Sequence, residues 1–266
     1  MTDGPDRVHK GQRIKTDYPL ANLASDVLKT MANQRVCGRD RGLLDVKSMD
    51  YLRRSVLRMD TSASVIVEKL RGRGLSDCDL VDHYIPEVAR RLGADWVADR
   101  LGFADVTIGT SRLQSMLREL MESDGSLDHR AHKAGVAVIV MASDFHTLGA
   151  MVLTMQLRRL GVSTRLLIGV EFEDSIFAHQ AHKYDAVFLS ASSTKMLPKL
   201  ESFIKKLRRE AGKNTPIVLG GSILGSNEGI ETLSGADFAT TDVVEALQLC
   251  QLASSQFTTT IKTKVE

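Results

Sequence analysis

Cysteine is scarce in this chain: Cys37, Cys78 and Cys250 are the only three in 266 residues. They are widely spaced and in no C-x-x-C pair, which suggests neither a disulfide framework nor a zinc site and points to a reducing compartment. An excess of charge of one sign is also missing. Lys and Arg number 35 against 33 Asp and Glu, a formal net charge of +2, too small to argue for nucleic-acid binding by bulk electrostatics. The basic clusters Arg71 to Arg73 and Lys205 to Arg209 read as solvated helix faces or ends. No apolar run reaches the roughly 18 residues of a membrane span, and the opening stretch MTDGPDRVHKGQRIK lacks the apolar core of a signal peptide. The expectation is a cytoplasmic protein. No internal repeat is evident, and Trp96 is the only tryptophan.

What is present is an ordinary globular composition, 43% hydrophobic and 26% charged, with length enough for two modest domains. Residues 1–42 read as a polar arm followed by an accessory helix carrying Leu20, Leu23, Val27, Leu28 and Met31. From 43 to 122 the hydrophobic period stays near 3.6, with glycine breaks near 72–74, 93 and 102, and predicts four helices packed as a bundle. Thr61 and Ser76 are placed to cap two of them. Residues 123–134 are polar and glycine-punctuated and read as a linker.

From 135 to 252 strand and helix patterns alternate five times, before a Thr-rich tail at 253–266. The strands fall near 136–141, 164–168, 186–190, 216–219 and 238–240. Pro198 fits only in the first turn of the third helix, and Asp242 caps the last. This pattern predicts a doubly wound parallel sheet of flavodoxin-like order 2-1-3-4-5 behind an all-α region.

In such a sheet ligands bind at the carboxyl ends of the strands. Asp144-x-His146-x-x-Gly149 lies there, at the turn between the first strand and its helix. A carboxylate two residues from a histidine can hold one imidazole nitrogen while the other faces a metal. The same residues also fit a plain helix start, with Asp144 or Thr147 as N-cap and His146 in solvent. Ser190 at the end of the third strand and Gly220-Gly221 at the end of the fourth converge on the same edge, where side-chain-free positions would admit a bulky planar group. His179 and His182 read as surface residues.

The set Asp144, His146, Gly149, Ser190 and Gly220-Gly221 resembles the cobalamin-binding fold of methionine synthase, corrinoid proteins and B12-dependent regulators. The resemblance implies cobalamin, as hydroxocobalamin or another form, bound base-off with His146 as the lower cobalt ligand and Asp144 hydrogen-bonded to it. Gly149, Ser190, Gly220 and Gly221 would bound the pocket for the displaced dimethylbenzimidazole tail. Ser192 belongs to the same loop and stands where the family's Ser-x-Leu has leucine, a departure that bears on tail packing.

The stretch from Tyr84 to Trp96 is similar to the family's helical cap, which implies that Trp96 lies near the upper ligand; without the resemblance Trp96 reads as a bundle core residue. Photoreceptors of the MerR-like type carry Glu-His ten and eleven residues after that tryptophan, where this chain has Val106 and Thr107. The overall pattern resembles the AerR/PpaA antirepressors of photosynthetic purple bacteria. Implied is a light- or redox-responsive transcriptional regulator, not an enzyme, acting through a redox-sensitive photosystem-gene repressor of the PpsR/CrtJ type. His83 or His9 would be the candidate upper ligand. Two alternatives share the fold: a corrinoid protein of a methyltransferase system, and a heme sensor, against which the tail-pocket glycines argue.

Overall fold

Among the described residues, hydrophobic positions at three and four residue spacing build four helical rods ahead of the sheet. The computed structural model describes residues 44–123, 134–172, 175–211, 215–225 and 229–252; the accessory helix and His9 lie outside the described residues. Helix α1 (Val46–Leu57) is capped by Asp45, which accepts from Ser48 N, and buries Met49, Leu52 and Val56. Helix α2 (Ala63–Arg71) is capped by Ser62, one residue past the expected Thr61. The third rod starts at α3 (Asp77–Asp79), where Ser76 and Asp79 form the reciprocal capping box. It passes through a π-helical turn, Leu80–Tyr84, into α4 (Ile85–Val97). The fourth rod is α5 (Phe103–Ser123).

The basic cluster after α2 is paired within this layer. Arg71 donates to both oxygens of Asp77 at 2.8 Å, and the Arg73 guanidinium stacks 4.4 Å from the centroid of Tyr51. Cys78 is disulfide-bonded, which the cysteine spacing did not anticipate; Cys250 is a buried free thiol, its pKa pushed up to about 11 first by burial and then by Asp237.

The sheet comprises β1 (Gly135–Met141), β2 (Ser163–Val170), β3 (Ala186–Ser190), β4 (Ile217–Gly220) and β5 (Phe238–Ala239). All pairs are parallel, in the order β2-β1-β3-β4-β5, as the alternating pattern predicts. The intervening helices are α6 (Leu148–Arg159), α7 (Ser175–Gln180), α8 (Leu197–Ala211), α9 (Ile230–Ser234) and α10 (Val243–Leu249). Because side chains alternate along a strand, Ala137, Ile139 and Met141 of β1 join one core with Phe203 and Leu207 of α8. Val136, Val138 and Val140 face the other way, onto Ala150 and Leu157 of α6 and Leu247 of α10. Burial on both faces explains why β1 reads as a continuous apolar run.

Helix α6 joins the two parts of the molecule. Its second face, Met151, Val152 and Met155, belongs to the core of the helical layer with Leu113, Met116, Leu117 and Leu120 of α5. Layer and sheet form one compact unit. At the amino end of α6, Gln114 Nε2 of α5 donates to Thr147 Oγ1 at 2.9 Å. At its other end Asp82, in the π-turn, accepts from Gln156 Nε2 at 3.1 Å and from Arg159 at 2.5 Å.

These contacts fix the level of the helical layer against the sheet. Residues of α5 before Gln114 extend past the start of α6, and at 1.5 Å per residue the segment from Phe103 is roughly 16 Å long. Leu92 of α4 lies against Gly109 of that segment. The α4–α5 turn, with Trp96, Val97 and Phe103 exposed, therefore overhangs the carboxyl edge of the sheet. Trp96 is 49% exposed and not a bundle core residue. Among the described residues no helix is long and apolar enough to cross a membrane.

Candidate functional site

Strand register assembles the site. Val140 of β1 pairs with Ser190 of β3, and Ser190 with Gly220 of β4, so the loops leaving β1, β3 and β4 begin at one level. The β1 loop carries Asp144, Phe145 and His146; the β3 loop carries Ala191 and Ser192; the β4 loop begins at Gly221.

Asp144 is the hub. Its side chain is 1% exposed. Oδ1 accepts from His146 N at 2.9 Å, from His146 Nδ1 at 3.1 Å and from Ser192 Oγ at 2.9 Å, while Oδ2 accepts from Ser192 N at 2.8 Å. The contact to His146 N is the local turn that Asp side chains favour two residues on. Neither Asp144 nor Thr147 caps α6 with its side chain, so the plain helix-start reading is replaced by an Asp–His–Ser cluster spanning two loops.

With Nδ1 donating to a carboxylate, the neutral tautomer leaves the Nε2 lone pair free. The His146 side chain is 78% exposed, so that nitrogen is presented to the space beyond the sheet edge. This arrangement can hold a metal that brings most of its own ligands. Among the described residues no group of three or more His, Cys, Asp or Glu is gathered to bind a bare ion. Phe145, between the hub and the imidazole, is 86% exposed.

The glycines divide into two kinds. A Cβ on Gly221, whose φ is +101°, would lie 2.3 Å from the carbonyl oxygen of Ala191, and one on Gly220 would lie 3.1 Å from that of Thr240. Their lack of a side chain lets neighbouring loops close on each other. A Cβ on Gly149 would meet nothing within 4 Å, so this position borders open space at the amino end of α6.

The structure thus brings Asp144, His146, Gly149, Ser190, Ser192, Gly220 and Gly221 to one edge, with Trp96 on the overhang. It does not bring His83 there. Asp82 beside it is bonded to Gln156 and Arg159, at the opposite end of α6 from His146. His179 and His182 lie elsewhere, His182 Nδ1 donating to His179 O at 2.8 Å. The sequence flagged Ser192 only as a departure from a leucine; its two hydrogen bonds to Asp144 had no signal short of knowing the register of β1 and β3. Gln114, which reaches the residue after His146 from 33 positions away, had none at all.

Residues 134–248 match the family model "B12 binding domain". An uncharacterised 20.5 kDa protein encoded in the bchF-crtJ intergenic region of Rhodobacter capsulatus is 34% identical over 170 residues, covering 62% of this chain and 86% of that one. The monomethylamine corrinoid protein of Methanosarcina barkeri superposes with a TM-score of 0.58 at 16% identity, over 77% of this chain and 97% of its own, a likeness of fold. The chain therefore belongs to the B12-binding domain proteins, in one family with the Rhodobacter capsulatus protein of the bchF-crtJ region.

Proposed function

We propose that the protein binds cobalamin with His146 as the lower cobalt ligand and acts as a light- or redox-responsive regulator of transcription through a protein partner, without catalysing a reaction itself. The observation that carries the reading is the exposed His146 imidazole, held by its Nδ1 on buried Asp144 at the carboxyl edge of a B12-binding sheet. A corrinoid brings its own equatorial nitrogens, so one imidazole suffices where a bare ion would need several ligands. The donor set fits: one neutral nitrogen, a carboxylate that fixes its tautomer, and open space beside Gly149.

When bound, the cofactor supplies a cobalt centre whose upper ligand is labile to light or to oxidation. The chain's own residues do the rest. Asp144 keeps the Nε2 lone pair aimed outward, Ser192 holds Asp144, and Ser190 with Gly220 and Gly221 borders the tail pocket. The α4–α5 turn with Trp96 would shield the upper side of a bound corrinoid. Exchange of the upper ligand would then bias the helical layer between two positions. His9 remains the proposed protein ligand for that side, since His83 lies at the far end of α6.

The partner we propose is a redox-sensitive repressor of photosystem genes of the PpsR/CrtJ type, supported by the location of the Rhodobacter capsulatus relative in the photosynthesis gene cluster. Hydrogen exchange of the cobalamin-loaded protein tests the conformational step: residues 85–123 should change protection on illumination or oxidation, and identical protection under both conditions would refute it. The rival reading, a corrinoid protein that carries methyl groups between partner enzymes, draws on the fold likeness to the Methanosarcina barkeri protein. Cobalamin-dependent methyl transfer from a small methyl donor would favour it.

A further inference from the structure

Thr147 stands at the N-cap position of α6 but does not act as a cap. A threonine there ordinarily has an extended backbone, and its hydroxyl accepts from an N–H two or three residues on. Thr147 has φ −88° and ψ −16°, and its side chain makes no such bond. The hydroxyl instead accepts from Gln114 Nε2 of α5 at 2.9 Å.

Conformation and partner belong together. Turning the hydroxyl back onto the first turn of α6 requires an extended ψ at Thr147. That rotation would swing the chain preceding the helix, His146 first, relative to the α6 axis. The two arrangements exchange one neutral hydrogen bond for another of similar size, so neither dominates by a wide margin.

The other attachments of α6 make this end the movable one. Asp82 holds Gln156 and Arg159 at the far end, with a charge-assisted bond. Met151, Val152 and Met155 are sealed into the core of the helical layer between the two ends. The single Gln114 bond is the weakest of the three attachments. It is also the one beside the His146 loop.

We propose that Thr147 is a two-position joint between the helical layer and the His146 loop. In one position Gln114 latches it and its backbone is helical; in the other it is released, extended and caps α6. Gln114 is then a positioning residue that acts on His146 through Thr147. Movement of His146 and loosening of α5 become one event. The consequence for cobalt rests on the function proposed above, while the joint itself is a property of the protein without cofactor.

The test is NMR on the full chain without cofactor, comparing wild type, Gln114→Met and Thr147→Ser. It reads the Cα and Cβ shifts of residue 147, each taken relative to the random-coil value of its own residue type, together with amide exchange from Leu113 to Leu120. Methionine keeps the length and helix propensity of glutamine but removes the donor. In Gln114→Met the Thr147 shifts should move from helical toward extended values, and the α5 amides should exchange roughly two- to tenfold faster, as the loss of one hydrogen bond implies. Thr147→Ser, which keeps the hydroxyl, should match wild type in both. Helical Thr147 shifts in Gln114→Met, or unchanged exchange, would overturn the joint. Adding hydroxocobalamin to the same samples separates the claims. Failure of wild type to bind refutes the cofactor reading alone, whereas binding with unmoved Thr147 shifts in Gln114→Met refutes the joint alone.

Discussion

Asp144 accepts two hydrogen bonds from His146 and two from Ser192, which is how a nearly sealed carboxylate satisfies its lone pairs. The D-x-H spacing made the Asp–His contact legible in the sequence, because two residues in a turn can hardly avoid each other. The Ser192 half was not legible, since it depends on two loops 48 residues apart meeting at a common strand level. Ser192→Ala removes the Oγ bond and leaves the backbone one. It should weaken hydroxocobalamin binding roughly two- to tenfold in equilibrium dialysis with little change in melting temperature. The glycines make an opposed pair of predictions. Gly221→Ala forces a Cβ against the Ala191 carbonyl at positive φ and should destabilise the fold by about 2 kcal/mol or more in urea unfolding. Gly149→Ala meets no neighbour and gains helix propensity, so stability should hold or rise by up to ~1 kcal/mol; its methyl intrudes on the open space, and corrinoid affinity should fall.

Among the described elements, the four rods and five strands were readable because the 3.6-residue period of 43–122 gives way after 135 to short apolar runs alternating with helical stripes. The π-turn at Leu80–Tyr84 was not, since one extra residue in a helical turn leaves the apolar spacing almost unchanged. Trp96 misleads a periodicity argument for a different reason: it continues the Val88–Leu92 stripe by spacing, yet it stands 49% exposed at the last turn of α4. The start of the overhang is pinned by Asp95, which accepts from Arg53 and Arg100. Arg53 first, and Arg100 after it, hold the Asp95 carboxyl below the usual carboxylate range. A depressed folded-state pKa gives stabilisation that is full above the unfolded value, about 3.9, and is lost as pH falls through the folded value. Thermal melts of wild type should therefore lose stability below about pH 4 more steeply than those of Asp95→Asn; parallel curves would remove Asp95 from the account.

At the scale of the whole molecule, one helix carries both the ligand loop and the seal between layers. Any ligand held by His146 is thereby coupled to the stability of the unit. By mass action, hydroxocobalamin at a hundredfold excess over its Kd should stabilise the folded protein by about 2.7 kcal/mol, read as a rise in melting temperature that His146→Ala loses. Sheet order was legible from strand and helix alternation alone, because right-handed crossovers leave few alternatives. How the helical layer sits on the sheet was not, because it depends on Asp82, Arg159, Gln114 and Thr147, polar residues whose partners lie 33 to 77 positions away.

The most direct measurement is the ultraviolet-visible spectrum of hydroxocobalamin mixed with wild type and with His146→Ala, in the dark and after illumination. Wild type should give a protein-bound, imidazole-ligated spectrum, and the variant should lose it. A variant that binds hydroxocobalamin with the wild-type spectrum would contradict the assignment of His146.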